Sequence, residues 1–144
     1  MTQQTLPRTA TPTTTPRRRR RSTSITLWTL QVLTAVTFAF AGAGKLTGDP
    51  QSVAGFEQIG LGDWFRLLIG ALEVAGAVGV LIPRLSGLAA ACFSALMVGA
   101  VITQATVFDG EMVAVPAVVF LVVAVIAWGR RDTTARLFAS PRRR

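Results

Sequence analysis

Glu73 stands alone near the middle of an apolar stretch that runs from Trp64 to Ile82. A carboxyl group at the centre of a membrane helix costs roughly 2.5–3.5 kcal/mol on insertion scales, and such a group is as a rule paired, protonated or turned toward a polar cavity. Arg66 precedes it by two helical turns, about 10.5 Å along the axis, so the two share a face. Helical side chains lean toward the N-terminus, which tilts Glu73 toward Arg66 while Arg66 leans away and can snorkel to the headgroups. Lys45 closes the preceding apolar span, and Thr103 and Gln104 fall about 27 Å from the start of the third span, near its far end. Lys45, Arg66, Thr103 and Gln104 thus gather at one membrane face with Glu73 beneath them. If they converge, they form an outward-opening polar pocket or a proton-binding site. The plainer reading is that Glu73 hydrogen-bonds a neighbouring helix as polar glue, with Lys45 and Arg66 as interfacial anchors.

Composition narrows the chemistry. The chain has 144 residues, 51% hydrophobic and only 15% charged, with a mean hydropathy of +0.50. It contains no His, no Tyr and a single Cys, Cys92. The usual general base and the commonest zinc and haem ligand are therefore missing, and no internal disulfide or Cys pair can form. No catalytic or metal-binding residue is assigned, and the chain reads as no enzyme on its own. Cys92 reads as a small buried hydrophobe.

Four apolar spans must position the polar groups: 25–44, 64–82, 86–108 and 112–128. The first has the length for about 30 Å of helix, and the last is at the short limit for a crossing. Pro83-Arg84 and Asp109-Gly110-Glu111 are tight turns, and Pro116 lies early in the fourth span, where a missing N–H costs little. Residues 1–24, rich in Thr, Pro and Arg, read as a disordered basic tail, 25–131 as one membrane domain and 132–144 as a second basic tail. The segment 52–60 reads as a short amphipathic piece lying on the membrane surface. Ala41-Gly42-Ala43 could serve as a signal-peptide cleavage site, but the first span is long for that and three more follow.

Every basic residue except Lys45 and Arg66 falls in one set of segments, and Asp49, Glu57, Asp63, Asp109 and Glu111 fall in the other. The positive-inside rule then gives four crossings, N-in and C-in, which reads as an all-α, antiparallel four-helix bundle. Trp28, Trp64 and Trp128 stand near the predicted interfaces. Arg17–Arg21 is read as this topogenic charge and not as a nucleic-acid site. Small residues recur every four positions at Ala71, Ala75 and Gly79 and at Gly87, Ala91, Ala95 and Gly99, which suits close packing within the bundle.

Gly42-Ala43-Gly44-Lys45-Leu46, Phe56-Glu57-Gln58-Ile59-Gly60-Leu61, Leu68-Ile69-Gly70-Ala71-Leu72-Glu73-Val74-Ala75-Gly76-Ala77, Leu81-Ile82-Pro83-Arg84 and Met97-Val98-Gly99-Ala100-Val101-Ile102-Thr103-Gln104 come in an order and spacing that resemble the DoxX-like family of small four-helix bacterial membrane proteins. The resemblance spans about Thr34 to Arg131 and carries over to Lys45, Glu73 and Gly99-Ala100. One departure is Gln104, where many relatives carry a His. Gln keeps hydrogen bonding and gives up titration. The resemblance implies an accessory subunit of a membrane redox system linked to quinones or thiols. With no intrinsic cofactor, the electron-carrying centre would be a bound quinone or a partner's cofactor. Partners so implied are the lipid bilayer and membrane redox proteins. The competing functions are a small proton-linked carrier at Glu73, which would need to form a homo-oligomer, and a purely structural membrane protein.

Overall fold

The computed structural model describes residues 17–138, with side chains for all of these except 17–24, 136 and 138. Six helices follow one another: α1 (Arg17–Thr47), α2 (Pro50–Ile59), α3 (Asp63–Leu81), α4 (Ser86–Val107), α5 (Ala114–Gly129) and α6 (Arg131–Phe138). No strand occurs among the described residues. The apolar parts of α1, α3 and α4 are long enough to cross a membrane, and α5 is a shorter apolar helix of 16 residues. These helices coincide with the four expected apolar stretches, three of them long enough to cross, and α2 falls on the segment expected to be amphipathic.

The boundary at residue 25 moves. Arg17–Ser24 form the first turns of α1, and Arg131–Phe138 form a short helix in place of a tail. The expectations for 1–16 and 139–144 lie outside the described residues.

The turns follow from local chemistry. Ile82 is extended (φ −82°, ψ 115°), as a residue before proline must be, and this ends α3. Ser86 starts α4 with its hydroxyl on the Pro83 carbonyl at 3.2 Å. Between α4 and α5, Asp109 and Gly110 take positive φ (52° and 79°), and the Gly110 amide closes on the Gln104 carbonyl at 2.8 Å.

α1 packs mainly on α3 and α4 mainly on α5, and the two pairs join through α3 and α4. The core is Ala35 and Phe38 of α1, Ala77 and Val80 of α3, Ala89, Ala90, Phe93 and Met97 of α4, and Val123 and Ile126 of α5. At its centre the Phe38 and Phe93 rings stack at 3.8 Å with 13° between their planes. Gly76 leaves room for Phe93, since a Cβ there would stand 2.6 Å from the ring. Outward faces carry Leu33, Phe40, Leu68, Leu72, Val98, Leu121 and Trp128. A bundle apolar inside and out suits lipid as solvent.

The small-residue stripes are not the packing surface that their spacing suggested. Ala71, Ala75, Ala91, Ala95 and Gly99 are exposed, whereas Gly79 and Gly87 are packed. The inward face of α3 runs instead through Gly70, Glu73, Ala77 and Val80. Spacing every four residues says that two positions share a face, not which face turns inward. Gly87 lets the α5–α6 junction approach, since a Cβ there would meet the Arg130 carbonyl at 2.7 Å.

A polar brace closes the α6 end. Gln31 is fully buried in α1. Its amide donates to the Val80 carbonyl at 2.6 Å and its Oε1 accepts from Arg130 at 2.8 Å. Three helices are thereby joined through one side chain.

Candidate functional site

The opposite end, beside α2, holds the other polar cluster. It begins with two glycines. A Cβ on Gly42 of α1 would stand 2.8 Å from the Gly70 carbonyl and 2.8 Å from the Val74 side chain, and one on Gly70 of α3 would stand 3.0 Å from the Gly42 carbonyl. The helices touch backbone to backbone there, as small residues permit. That approach places Lys45 within reach of Glu73.

The Lys45 ammonium donates to Glu73 Oε2 at 2.8 Å, to Oε1 at 3.1 Å and to the Ala41 carbonyl at 3.5 Å. Its three donors are thus all engaged. The side chains are 17% and 5% exposed, so the pair is largely withdrawn from solvent. A desolvated pair of this kind holds only when each charge meets the other in good geometry, which it does here.

Arg66 does not pair with Glu73. Only 7% exposed, it bonds Asp63 Oδ1 through Nε (3.1 Å) and Nη2 (2.9 Å), and its Nη1 donates to the Lys45 carbonyl. It caps the end of α1 and fixes it to the start of α3. Its work is on the backbone of Lys45, outside the cavity.

α2 covers this end. Asp49 is its N-cap: Oδ1 accepts from the Ser52 amide at 3.0 Å, and its own amide donates to the Gly44 carbonyl at 3.0 Å. Hydrogen bonding from the Ser52 side chain, then from the Ser52 amide, holds the Asp49 carboxyl below its ordinary range. Gly60, at φ 78°, terminates α2 as a left-handed cap.

Beneath α2 lies a cavity of about 700 Å³. Lys45, Glu73, Thr103 and Gln104 all line it, together with Gly99 and Ala100. Four of the five sequence-predicted site residues therefore meet, and Arg66 is the exception. Phe38, Phe56, Phe65, Ile69, Met97 and Val119 supply apolar walls. Among the described residues, neither Thr103 nor Gln104 has a side-chain hydrogen-bonding partner within the chain. The wall thus offers a hydroxyl and a carboxamide, able to donate and accept, beside an ion pair that is already satisfied. Asp49, Ser52 and Phe56 also belong to the lining; all three lie in the long loop after the first span, which the sequence marks as a lid or binding surface, although none was named as a site residue. The Asp49-Pro50 cap signal followed by Ser52 could have identified the helix that presents them.

Such a volume with apolar walls and few convergent polar groups is typical of small-molecule sites. The model of the DoxX-like family matches residues 29–127, which include every residue of the Lys45–Glu73–Gln104 cluster. No curated protein and no solved structure matches the chain.

Proposed function

Because the chain belongs to the DoxX-like family of membrane proteins, we propose that it is an accessory subunit of a membrane redox system and holds a quinone-class molecule in the cavity above Glu73. The observation that carries this reading is the cavity itself: apolar walls, a closed ion pair, and unspent hydrogen-bonding groups on Thr103 and Gln104. A neutral, flat conjugated ring bearing carbonyl groups matches that lining in size and polarity. The Gln104 amide and the Thr103 hydroxyl would donate to its oxygens, and Phe38 and Met97 would pack its faces. When bound, such a molecule supplies the two-electron carrier that the chain's own side chains do not.

The arrangement proposed is an antiparallel four-helix bundle made of α1, α3, α4 and α5, with α5 tilting little at about 24 Å of length. Arg84, Arg130 and Arg131 at the α6 end support the proposal that this end is cytoplasmic in a bacterial membrane, with α2 facing outward. Lys45 on both Glu73 oxygens weighs against a carrier that loads and unloads a proton there.

The test is purification from native membranes in mild detergent, followed by mass spectrometry of bound proteins, for wild type and for Gln104→Leu. An oxidoreductase recovered with both forms, with its quinone-dependent turnover impaired only in the variant, is the expected result. Recovery of no membrane redox protein with the wild type overturns the accessory-subunit reading.

A further inference from the structure

The wall of the cavity is broken on one side. Thr37 and Phe40 of α1 line the cavity and are nevertheless exposed, Phe40 to 78%. Across from them Val115 of α5 also lines it and is 54% exposed. At the α6 end α1 is tied to the close of α5, where Arg130 reaches Gln31 at 2.8 Å and Gly129 lies against Leu27. Toward the α2 end, the exposed Thr37, Phe40 and Val115 mark an opening in the cavity wall between α1 and α5. The Phe38–Phe93 stack stops the gap from running through the core, and Phe38 is itself part of the cavity lining. At the end away from α6, α2 lies over the cavity, with Ser52, Phe56 and Ile59 in its lining and the Gln58 amide on the Val107 carbonyl at 3.4 Å.

These observations say where a ligand comes from. In the orientation proposed above, the covered side faces water, and the open side, flanked by the apolar Phe40 and Val115, falls among the lipid chains. We infer that the cavity loads sideways from the bilayer, through the gap between α1 and α5, and that its ligand is a membrane-dissolved molecule with an uncharged polar head and an apolar tail. The head would reach Thr103 and Gln104 while the tail stays in the gap against Phe40 and Val115. A charged head is disfavoured twice. It would have to pass through hydrocarbon, and inside it would meet a lysine and a carboxylate that already satisfy one another. The inference deepens the proposed function, resting on its reading of the cavity as a ligand site, and it adds route, head-group charge and the residues of the portal.

The test uses the full chain in lipid vesicles, in a Cys92→Ala background, with a bimane fluorophore on a cysteine at Thr103. Quenching is measured with a doxyl-labelled lipid in the bilayer and with iodide in the water. Lateral loading predicts that the doxyl lipid quenches several-fold more than iodide. It predicts that Val115→Trp, which fills the gap, lowers doxyl quenching several-fold, and that Val115→Ala, which widens it, raises it. Stronger quenching by iodide, or doxyl quenching indifferent to both substitutions at Val115, overturns the inference. A short-tailed azido-quinone, added to the chain with Thr103 intact, then separates the two readings. If doxyl quenching follows Val115 and the azido-quinone leaves the Thr103–Gln104 segment unlabelled on illumination, the portal stands and the quinone reading fails. If labelling occurs and its rate ignores Val115, the quinone reading stands and the lateral route fails.

Discussion

Lys45 and Glu73 are 28 positions apart in the chain, and the lysine ammonium stands 2.8 Å and 3.1 Å from the two oxygens of the one carboxylate. Nothing in either helix alone would bring this about. The Gly42–Gly70 contact sets the separation of α1 and α3, and Arg66 holds the carbonyl of Lys45 from the α3 side.

The first prediction concerns the glycines. Gly42→Ala or Gly70→Ala puts a methyl against backbone that cannot move aside, so the helices separate or shift. A loss of about 1–3 kcal/mol is expected from overpacking, read from unfolding in mixed micelles. Gly55→Ala is the control. Its Cβ meets nothing within 4 Å, and stability should hold or rise by up to about 1 kcal/mol from helix propensity.

The ion pair gives the second. Lys45→Met strands a carboxylate in a buried site and should cost about 3–5 kcal/mol. Lys45→Met combined with Glu73→Leu removes both charges and should recover most of that loss. A double-mutant cycle in the same unfolding assay measures the coupling, and additive losses would mean that the two charges do not support one another.

At the opposite end, Gln31→Leu removes the acceptor of Arg130 and the donor to Val80. The expected cost is about 1–3 kcal/mol, from polar groups left unpaired. Trypsin cleavage at Arg130 and Arg131 should quicken as the junction loosens. An unchanged cleavage rate would show that the brace carries no load.

Asp49 supplies a pH dependence. Its carboxyl titrates below the ordinary 3.8 in the folded chain because Ser52 bonds its charged form. A depressed folded value means that the cap contributes fully at neutral pH and fades as pH falls through that value. A spin label on α2 should therefore stay immobile from neutral pH down to the ordinary carboxylate range and gain mobility only below it. In Asp49→Asn, whose amide keeps an acceptor for Ser52 and does not titrate, the label's mobility should not change with pH.

Much of this was legible in the residues. Four apolar runs, tight turns and the charge pattern mark the helices, and depth along each helix brings Lys45, Thr103 and Gln104 to one end above Glu73. Two things were not legible. The lean of side chains on one helix pointed Glu73 at Arg66, yet its partner comes from α1, because the packing of Gly42 on Gly70 lies outside any single-helix argument. The small-residue periodicity of Ala71, Ala75, Ala91 and Ala95 marked the wrong face, since composition does not distinguish a lipid-facing alanine from a packed one. Gln31 carried a signal that went unread: like Glu73, it is a polar residue set in an apolar span, and it too is paired.

The central claim is that the cavity above Glu73 holds a quinone-class molecule through Thr103 and Gln104. Its most direct test is mass spectrometry of the lipophilic molecules that stay with the protein through mild-detergent purification, for wild type, Glu73→Gln and Gln104→Leu. The account predicts a quinone retained in near-stoichiometric amount by the wild type and lost from Gln104→Leu, with Glu73→Gln reduced. Preparations equally free of quinone, from a native membrane that contains it, would contradict the account.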